Sequence, residues 1–179
     1  MSQNSSALAK RLDAKVRDIP EFPKPGIVFK DITPMLQDAE TLKLACGELA
    51  EPFRGQAIDL VVGIESRGFI FGPPVALALG VGFQIARKAG KLPWRTVAES
   101  YELEYGSEQI EMHQDAVLAD QRVLLLDDVI ATGGTAAATA RLVQRMGGKI
   151  VGCSFLIELE FLGGRQQLGS MPVHSVLRY

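Results

Sequence analysis

One run of residues in the middle of the chain constrains the fold most, because it joins a buried strand to a helix through a polar turn. Residues 123–126 are continuously apolar, as expected of a strand that is buried on both faces of a parallel sheet. Asp127 and Asp128 follow, and then residues 132–135, Thr-Gly-Gly-Thr, lead into a helix predicted to begin at Thr135. The run therefore predicts an open α/β sheet with two acids at the carboxyl end of a strand, where such sheets bind their ligands.

The same run suggests what the ligand is. Carboxylates accept hydrogen bonds from sugar hydroxyls, glycines let the backbone approach a ligand closely, and the N–H groups at the start of a helix favour an anion. Two acids followed by such a turn match a ribose 5-phosphate. Either feature taken alone also has a purely structural interpretation, since strands that end in acids and tight glycine turns are common.

Composition indicates an ordinary folded protein. The chain has 179 residues, of which 47% are hydrophobic and 22% charged, and we predict a single domain over residues 1–179. A net charge of −2 gives no general attraction to nucleic acid or to a membrane surface. The amino-terminal residues lack the apolar core of a secretion signal, so we expect a cytoplasmic location. Cys46 and Cys153 lie in apolar segments and are expected to be buried and unpaired.

Helical and strand-like periodicities alternate along the rest of the chain. This alternation predicts a parallel sheet flanked by helices. The predicted helices cover residues 6–16, 39–53, 69–79 and 135–146, and the predicted strands cover residues 27–32, 58–64, 81–86, 123–127, 149–159 and 173–177, with a short helix or turn at 163–168.

The hydrophilic stretch of residues 88–121 interrupts the alternation. Tyr101, Leu103 and Tyr105 alternate with Glu102 and Glu104, which predicts a hairpin with residue 106, a glycine, at its turn. Long insertions of this kind are usually functional loops, although a solvated surface hairpin is the plain alternative.

Two other strand-end loops are expected at the same edge of the sheet. Arg67, in the loop of residues 63–68, offers a planar fork of donors suited to phosphate oxygens. The next strand is followed by Arg87, Lys88, Lys91 and Arg95, with no acid between residues 85 and 95. Taken alone this is a solvated basic loop; taken with the other two loops it fits a sugar that carries a 5-phosphate and a pyrophosphate.

Other chemistries lack support in the sequence. Residues 63–68 have the glycine spacing of a P-loop, but Phe69 stands where the lysine is needed, and no Gly-x-Gly-x-x-Gly occurs. His113 and His174 are isolated, so neither belongs to a metal motif.

Residues 124–135 resemble the signature of the type I phosphoribosyltransferases, which bind 5-phosphoribosyl-1-pyrophosphate (PRPP). Four further stretches resemble the adenine-specific members of that family, and the resemblance extends over roughly residues 19–179; the stretches are residues 22–34, 65–72, 87–93 and 100–106. It implies the parallel-sheet type I phosphoribosyltransferase fold flanked by helices. A small N-terminal hood, residues 1–34, would cover the base, and a mobile catalytic loop would occupy about residues 88–121.

The resemblance also implies a reaction. Adenine and PRPP would give AMP and pyrophosphate in a step of purine salvage, through an oxocarbenium-like transition state. Mg²⁺ would assist, held mainly by PRPP rather than by direct protein ligands. A homodimer is expected, in which some of the cations among Arg67, Arg87, Lys88 and Lys91 could reach the site from the partner subunit, with no nucleic acid or membrane partner.

Each matched motif residue receives an expected role from the family. The 5-phosphate would be bound by Ala131, Thr132, Gly133, Gly134 and Thr135, the ribose by Asp127 and Asp128, the pyrophosphate by Glu65, Ser66, Arg67, Arg87, Lys88, Lys91 and Tyr105, and adenine by Val28, Phe29 and Lys30. Glu104 would be the catalytic residue, a general acid near adenine N7, for which burial must raise its pKa. The Glu65–Ser66 peptide is expected to be cis. Lys30 and Glu65 depart from the arginine and aspartate of many relatives, but both keep the charge.

Two alternatives stay open. The chain is also compatible with a phosphoribosyltransferase for another purine base, which the stretches at residues 22–34 and 100–106 disfavour. A PRPP-sensing regulator would need a DNA-binding module, for which residues 1–20 are too short, and would lack Glu104.

Overall fold

The chain divides into two units, Met1–Glu48 and Leu49–Tyr179. The computed structural model describes residues 3–102 and 106–179. The division does not decide whether residues 1–179 form one domain, so that expectation stays a prediction. Within the described ranges, no helix combines the length and the apolar character that crossing a bilayer requires.

The first unit is a small helix-and-hairpin assembly. Helix α1, Gln3–Asp13, precedes the antiparallel strands β1, Arg17–Pro20, and β2, Val28–Asp31; the short helix α2, Thr33–Gln37, and most of α3, Ala39–Ala50, complete it. The Asp31 carboxylate accepts bonds from the Thr33 N–H and hydroxyl, which fixes the chain at the start of α2. The first helix lies three residues earlier than predicted at both ends. The short elements β1 and α2 were not predicted, because neither is long enough to show a period.

The second unit is a seven-stranded sheet with two long helices. It comprises β3 (Leu60–Ile64), α4 (Gly68–Leu79), β4 (Gly82–Lys88), β5 (Thr96–Glu102), β6 (Ser107–His113), β7 (Arg122–Ile130), α5 (Gly134–Arg145), β8 (Lys149–Glu158) and β9 (Val173–Arg178). The strand order is β5-β6-β4-β3-β7-β8-β9. Strands β4, β3, β7, β8 and β9 are parallel, and β6 and β5 extend one edge as an antiparallel pair. The predicted sheet with flanking helices is confirmed, and the strands that the periodicity predicted in this unit begin and end within three residues of the observed bounds.

The two helices cover opposite faces of the sheet. Leu60, Val62 and Ile64 of β3 pack in one apolar cluster with residues of α5. Gly63 faces the opposite side of the sheet, where α4 packs. A Cβ at Gly63 and a Cβ at Gly72 of α4 would both collide with the ring of Phe83. Residues of β3 are buried on both sides, as the unbroken apolar run predicts.

The chain changes direction between the two central strands. From β3 it crosses through α4 to β4 on one side, and from the neighbouring β7 it crosses through α5 to β8 on the other. Such a switch point opens a crevice at the carboxyl ends of the two strands, and this is where open α/β sheets bind ligands.

Strand β7 extends beyond its predicted end. It was expected to stop at Asp127 but continues to Ile130, because β8 pairs with it over that length. Its pairing with β3 ends at Leu126. Asp127 and Asp128 therefore lie inside a strand and yet beyond the last residue that β3 opposes, which leaves them beside the crevice.

Candidate active site

Asp127 and Asp128 form an acidic pair at the crevice, in which Asp128 is buried and Asp127 half-buried. The Asp128 side chain is 6% exposed, and its own N–H donates to Asp127 Oδ1 at 2.8 Å. Burial and the neighbouring charge of Asp128 raise the pKa of Asp127 well above its ordinary value. Burial also raises the pKa of Asp128, although Arg67 opposes that shift. Hydroxyl groups of a ligand would satisfy these oxygens.

Arg67 connects the acidic pair to the loop after β3. Its Nε lies 2.8 Å from Asp128 Oδ2 in an ion pair. That buried oxygen accepts no well-aligned hydrogen bond within the described ranges, so it keeps capacity for a further donor. Gly68 lets the start of α4 lie close to β7. A Cβ at this residue would lie 2.8 Å from the Leu126 carbonyl oxygen and 3.1 Å from Asp127 Oδ1.

The turn between β7 and α5 forms a small anion-sized cradle. Gly133 is the N-cap residue of α5 with φ of 81°, and no side chain caps the helix there. The first N–H groups of a helix have no partner within it, so they are available to an anion. A cavity of about 100 Å³ lies against this turn and is lined by Asp127, Val129, Ile130, Ala131, Thr132, Gly133, Gly134, Thr135 and Ala136.

The cradle rests on the short 3₁₀ helix Gly164–Leu168. A Cβ at Gly133 would collide with the Gly164 carbonyl, and a Cβ at Gly164 would collide with the Ala131 carbonyl. The absence of side chains at Gly133 and Gly164 therefore lets the backbone of the cradle contact the backbone of the 3₁₀ helix. The sequence predicted the short helix or turn but gave no sign of this contact.

The Glu65–Ser66 peptide is cis, as expected from the resemblance. The Glu65 carboxylate accepts bonds from Arg87 Nε at 3.2 Å and Nη2 at 3.3 Å, and from the Lys88 N–H at 3.0 Å. Burial opposes ionisation, but Arg87 and Lys88 hold the pKa of Glu65 below its ordinary value. The Glu65 side chain, which was expected among the pyrophosphate ligands, therefore binds Arg87 and Lys88 of the basic loop.

The basic loop consists of the last two residues of β4, Arg87 and Lys88, and the turn that follows them. Arg87 donates to the Lys91 carbonyl at 3.0 Å, and the Gly90 N–H donates to Glu111 of the hairpin at 3.1 Å. These bonds hold the turn with Lys91 against the end of β4, next to Glu65. The loop of residues 65–67 and the basic loop are therefore adjacent, as the sequence predicted.

Strands β5 and β6 confirm the predicted hairpin. Glu102 pairs with Ser107, and Gly106 turns with φ of 99°. Glu104 and Tyr105 lie outside the described residues, so their roles stay predictions. A cavity of about 580 Å³ opens between the hairpin and the start of α5, lined by Ser100, Tyr101, Ser107, Thr132, Gly134, Ala137, Arg141 and Gln167.

Sequence reasoning gave Tyr101 no functional role and did not identify Glu108. The Tyr101 hydroxyl donates to Glu108 Oε2 at 2.7 Å, and Glu108 Oε1 lies 3.0 Å from Lys88 Nζ. The alternation of residues 101–105 was visible, but the strand order that sets Glu108 beside Lys88 was not.

The three residues expected at the base belong to the first unit. Val28 is 47% exposed, Phe29 stacks edge-on against Phe22 with ring centroids 5.3 Å apart, and Lys30 Nζ lies 2.7 Å from Asp18. All three lie on β2, and their contact with adenine stays a prediction.

Comparison with known proteins places this geometry in a family. The phosphoribosyl transferase domain matches residues 33–167. The chain is 54% identical to adenine phosphoribosyltransferase of Myxococcus xanthus over 178 residues, which cover 99% of this chain and 97% of that one.

Solved structures agree with the sequence comparison. Adenine phosphoribosyltransferase of Rhodothermus marinus is 56% identical with a TM-score of 0.93, and covers 97% of this chain and 99% of its own. The enzyme of Saccharomyces cerevisiae, solved with an imino-altritol bisphosphate and adenine, is 41% identical with a TM-score of 0.90, covering 96% and 99%. The acidic pair, the cradle and the basic loop thus lie in a chain that is similar to these proteins over nearly its whole length, and the chain belongs to the phosphoribosyl transferase domain family.

Proposed function

We propose that the chain catalyses transfer of the 5-phosphoribosyl group from PRPP to N9 of adenine, with AMP and pyrophosphate as products. The observation that carries the proposal is the meeting of three strand-end loops at one switch point, in a chain that is over half identical to adenine phosphoribosyltransferases along almost its full length. Each loop offers the chemistry that one part of PRPP requires.

The cradle would hold the 5-phosphate and the acidic pair the ribose. The N–H groups of residues 131–135 present partial positive charge to an anion. Asp127 and Asp128 would accept bonds from the two ribose hydroxyls, because carboxylate oxygens are hydrogen-bond acceptors. This part of the substrate does not react, so the cradle and the acidic pair orient C1.

The cations would stabilise the leaving group. The C1–O bond breaks as the N9–C1 bond forms, and negative charge builds on pyrophosphate. Arg67, Arg87, Lys88 and Lys91 are the candidates, with the Ser66 N–H beside them. The bonds from Glu65 to Arg87 and Lys88 support a role for Glu65 in orienting this loop rather than in touching pyrophosphate.

Mg²⁺ belongs to the proposal because it would neutralise charge on the donor. Hard divalent cations prefer oxygen ligands, and the buried Oδ2 of Asp128 keeps acceptor capacity. The fit is therefore favourable, with the metal held mainly by PRPP and the carboxylates of Asp127 and Asp128 nearby. Catalysis by Glu104 near N7, covering of the base by Val28, Phe29 and Lys30, and closure by Tyr105 complete the site in the proposal.

A homodimer in the cytoplasm completes the proposed context. Ile70 and Leu77 of α4 are 38% and 81% exposed and stand seven residues apart, so they share a face of the helix. A second copy of the chain covering this face would remove apolar surface from water.

A base panel tests the function. Purified protein is incubated with Mg²⁺, PRPP and each of adenine, hypoxanthine, guanine and xanthine, and nucleotide formation is followed by chromatography. AMP from adenine, at least about 100-fold faster than any other nucleotide, is expected, because the base site must satisfy one donor and acceptor pattern. Preferred use of another base would favour a different purine transferase, and PRPP binding without any product would favour a regulator.

A further inference from the structure

Tyr101 and Glu108 bridge the two ends of the candidate site. Glu108 uses its two carboxylate oxygens for different partners: Oε2 accepts from the Tyr101 hydroxyl at 2.7 Å, and Oε1 lies 3.0 Å from Lys88 Nζ. Tyr101 and Glu108 face each other across β5 and β6. On its other side, Tyr101 lines one cavity together with Thr132 and Gly134 of the cradle. A side-chain path therefore runs from the basic loop toward the cradle.

Within the described residues, no direct backbone pairing joins the two strands concerned. The cradle follows β7 and Lys88 ends β4, and β3 lies between these strands and pairs with both. The sheet therefore fixes the strands, and Tyr101 and Glu108 add a side-chain link from Lys88 toward the cradle. Tyr101 is 6% exposed, and burial first, with the charge of Glu108, raises its pKa to about 12, so it stays a hydrogen-bond donor at neutral pH.

We propose that Tyr101 and Glu108 are positioning residues that hold Lys88 and the cradle at the spacing of the two phosphate ends of PRPP. The inference rests on the proposed function and adds two residues to it. A ligand that occupies both ends gains affinity from this spacing, because two sites held in the correct geometry bind one rigid ligand with less loss of freedom. A ligand that occupies one end gains nothing from it.

The test compares ligands that fill one end or both. Calorimetry in the presence of Mg²⁺ gives Kd for PRPP, ribose 5-phosphate and pyrophosphate with the wild-type chain and with Tyr101→Phe, which keeps the ring and removes the hydroxyl. The PRPP Kd should rise about tenfold, the loss expected for one buried hydrogen-bonded link, while both one-ended ligands change by less than about twofold. Glu108→Gln should act in the same direction, and Tyr179→Phe, the same chemical change at the carboxyl terminus, should leave all three Kd values unchanged.

The difference between the Kd changes for PRPP and for the one-ended ligands decides whether the inference holds. Ribose 5-phosphate weakened as much as PRPP would place Tyr101 in the phosphate pocket itself and overturn the inference, as would an unchanged PRPP Kd in both variants. If thermal melting shows that Tyr101→Phe does not fold, the same three Kd values for Glu108→Gln decide the matter. Failure of the wild-type chain to bind PRPP would instead contradict the proposed function.

Discussion

At the scale of single residues, the neighbouring carboxyls Asp127 and Asp128 lower the stability of the folded protein, and they are also the proposed ligands of the ribose. Asp128 is buried and Asp127 is half-buried, and their two charges repel each other, with Arg67 as the counter-ion of Asp128. The raised pKa of Asp127 means that the folded state holds a proton at a higher pH than the unfolded chain does. The free energy of unfolding therefore falls as pH rises from the ordinary carboxyl range through the raised pKa.

Asp127→Asn should stabilise the protein and weaken substrate binding. The amide oxygen still accepts the Asp128 N–H, but the buried charge is gone. We expect Tm at pH 8 to rise by about 2–4 °C, the shift that about 1 kcal/mol produces in a domain of this size, and the gain to vanish near pH 4. Thermal melts between pH 4 and pH 8 measure this, and calorimetry with PRPP should show a Kd increased about tenfold.

Asp59→Asn is the matched control, for which we expect the change in stability at pH 8 to have the opposite sign. Bonds from the Arg122 side chain and N–H lower the pKa of Asp59, so this carboxylate contributes stability above its ordinary pKa. The control should lose stability at pH 8 and leave the PRPP Kd unchanged. An Asp127→Asn variant that melts below the wild type at pH 8 would be incompatible with the described electrostatics.

Residue types predicted part of this arrangement but not the pairings. The acids at 127 and 128 and the cations at 67, 87, 88 and 91 stand out in the sequence because each follows a predicted strand. That Glu65 binds Arg87, and that Glu108 joins Tyr101 to Lys88, depends on strand order and register, which local periodicity does not contain.

At the scale of elements, the cradle depends on its contact with the 3₁₀ helix Gly164–Leu168. Gly133→Ala would drive a methyl group into the Gly164 carbonyl, at a residue whose φ of 81° already disfavours a side chain. The turn should move away from α5, and the Kd for ribose 5-phosphate measured by calorimetry should rise at least about tenfold.

Gly55→Ala is the control that separates the collision with the Gly164 carbonyl from the strain of placing a side chain at positive φ. Gly55 has a similar φ of 74°, but nothing lies within 4 Å of an added Cβ. This control should lower the free energy of unfolding by about 1–2 kcal/mol while binding ribose 5-phosphate like the wild type. Equal loss of binding in both variants would show that the contact with Gly164 is not what shapes the cradle.

Elements with a long period were predictable, and short or paired ones were not. The parallel strands of the second unit and α4 and α5 begin and end close to their predicted bounds, whereas β1 and α2 were missed and β5 and β6 were expected only as a hairpin. Strand β7 was predicted three residues too short because Asp127 and Asp128 look like a strand end, and only the presence of β8 beside them extends the ladder. The helix predicted over residues 39–53 ends at Ala50, and the 3₁₀ turn Glu51–Phe53, which contains Pro52, follows it.

At the scale of the whole molecule, one switch point in the sheet brings the candidate functional loops together. The alternation of strands and helices predicted a parallel sheet, but the order β4-β3-β7-β8, which creates the crevice, became visible only in the fold. The net charge of −2 is small, so attraction of an anionic donor depends on the local cations rather than on the protein as a whole. The hood and the division into domains stay predictions.

A crystal structure of the protein with ribose 5-phosphate, pyrophosphate and Mg²⁺ would show whether the loops at the switch point form one site. We expect the 5-phosphate on the N–H groups of residues 131–135, the ribose hydroxyls on Asp127 and Asp128, and pyrophosphate beside Arg67 and Lys88. Phosphate density at another edge of the sheet, or pyrophosphate bound away from Arg67 and Lys88, would contradict this expectation.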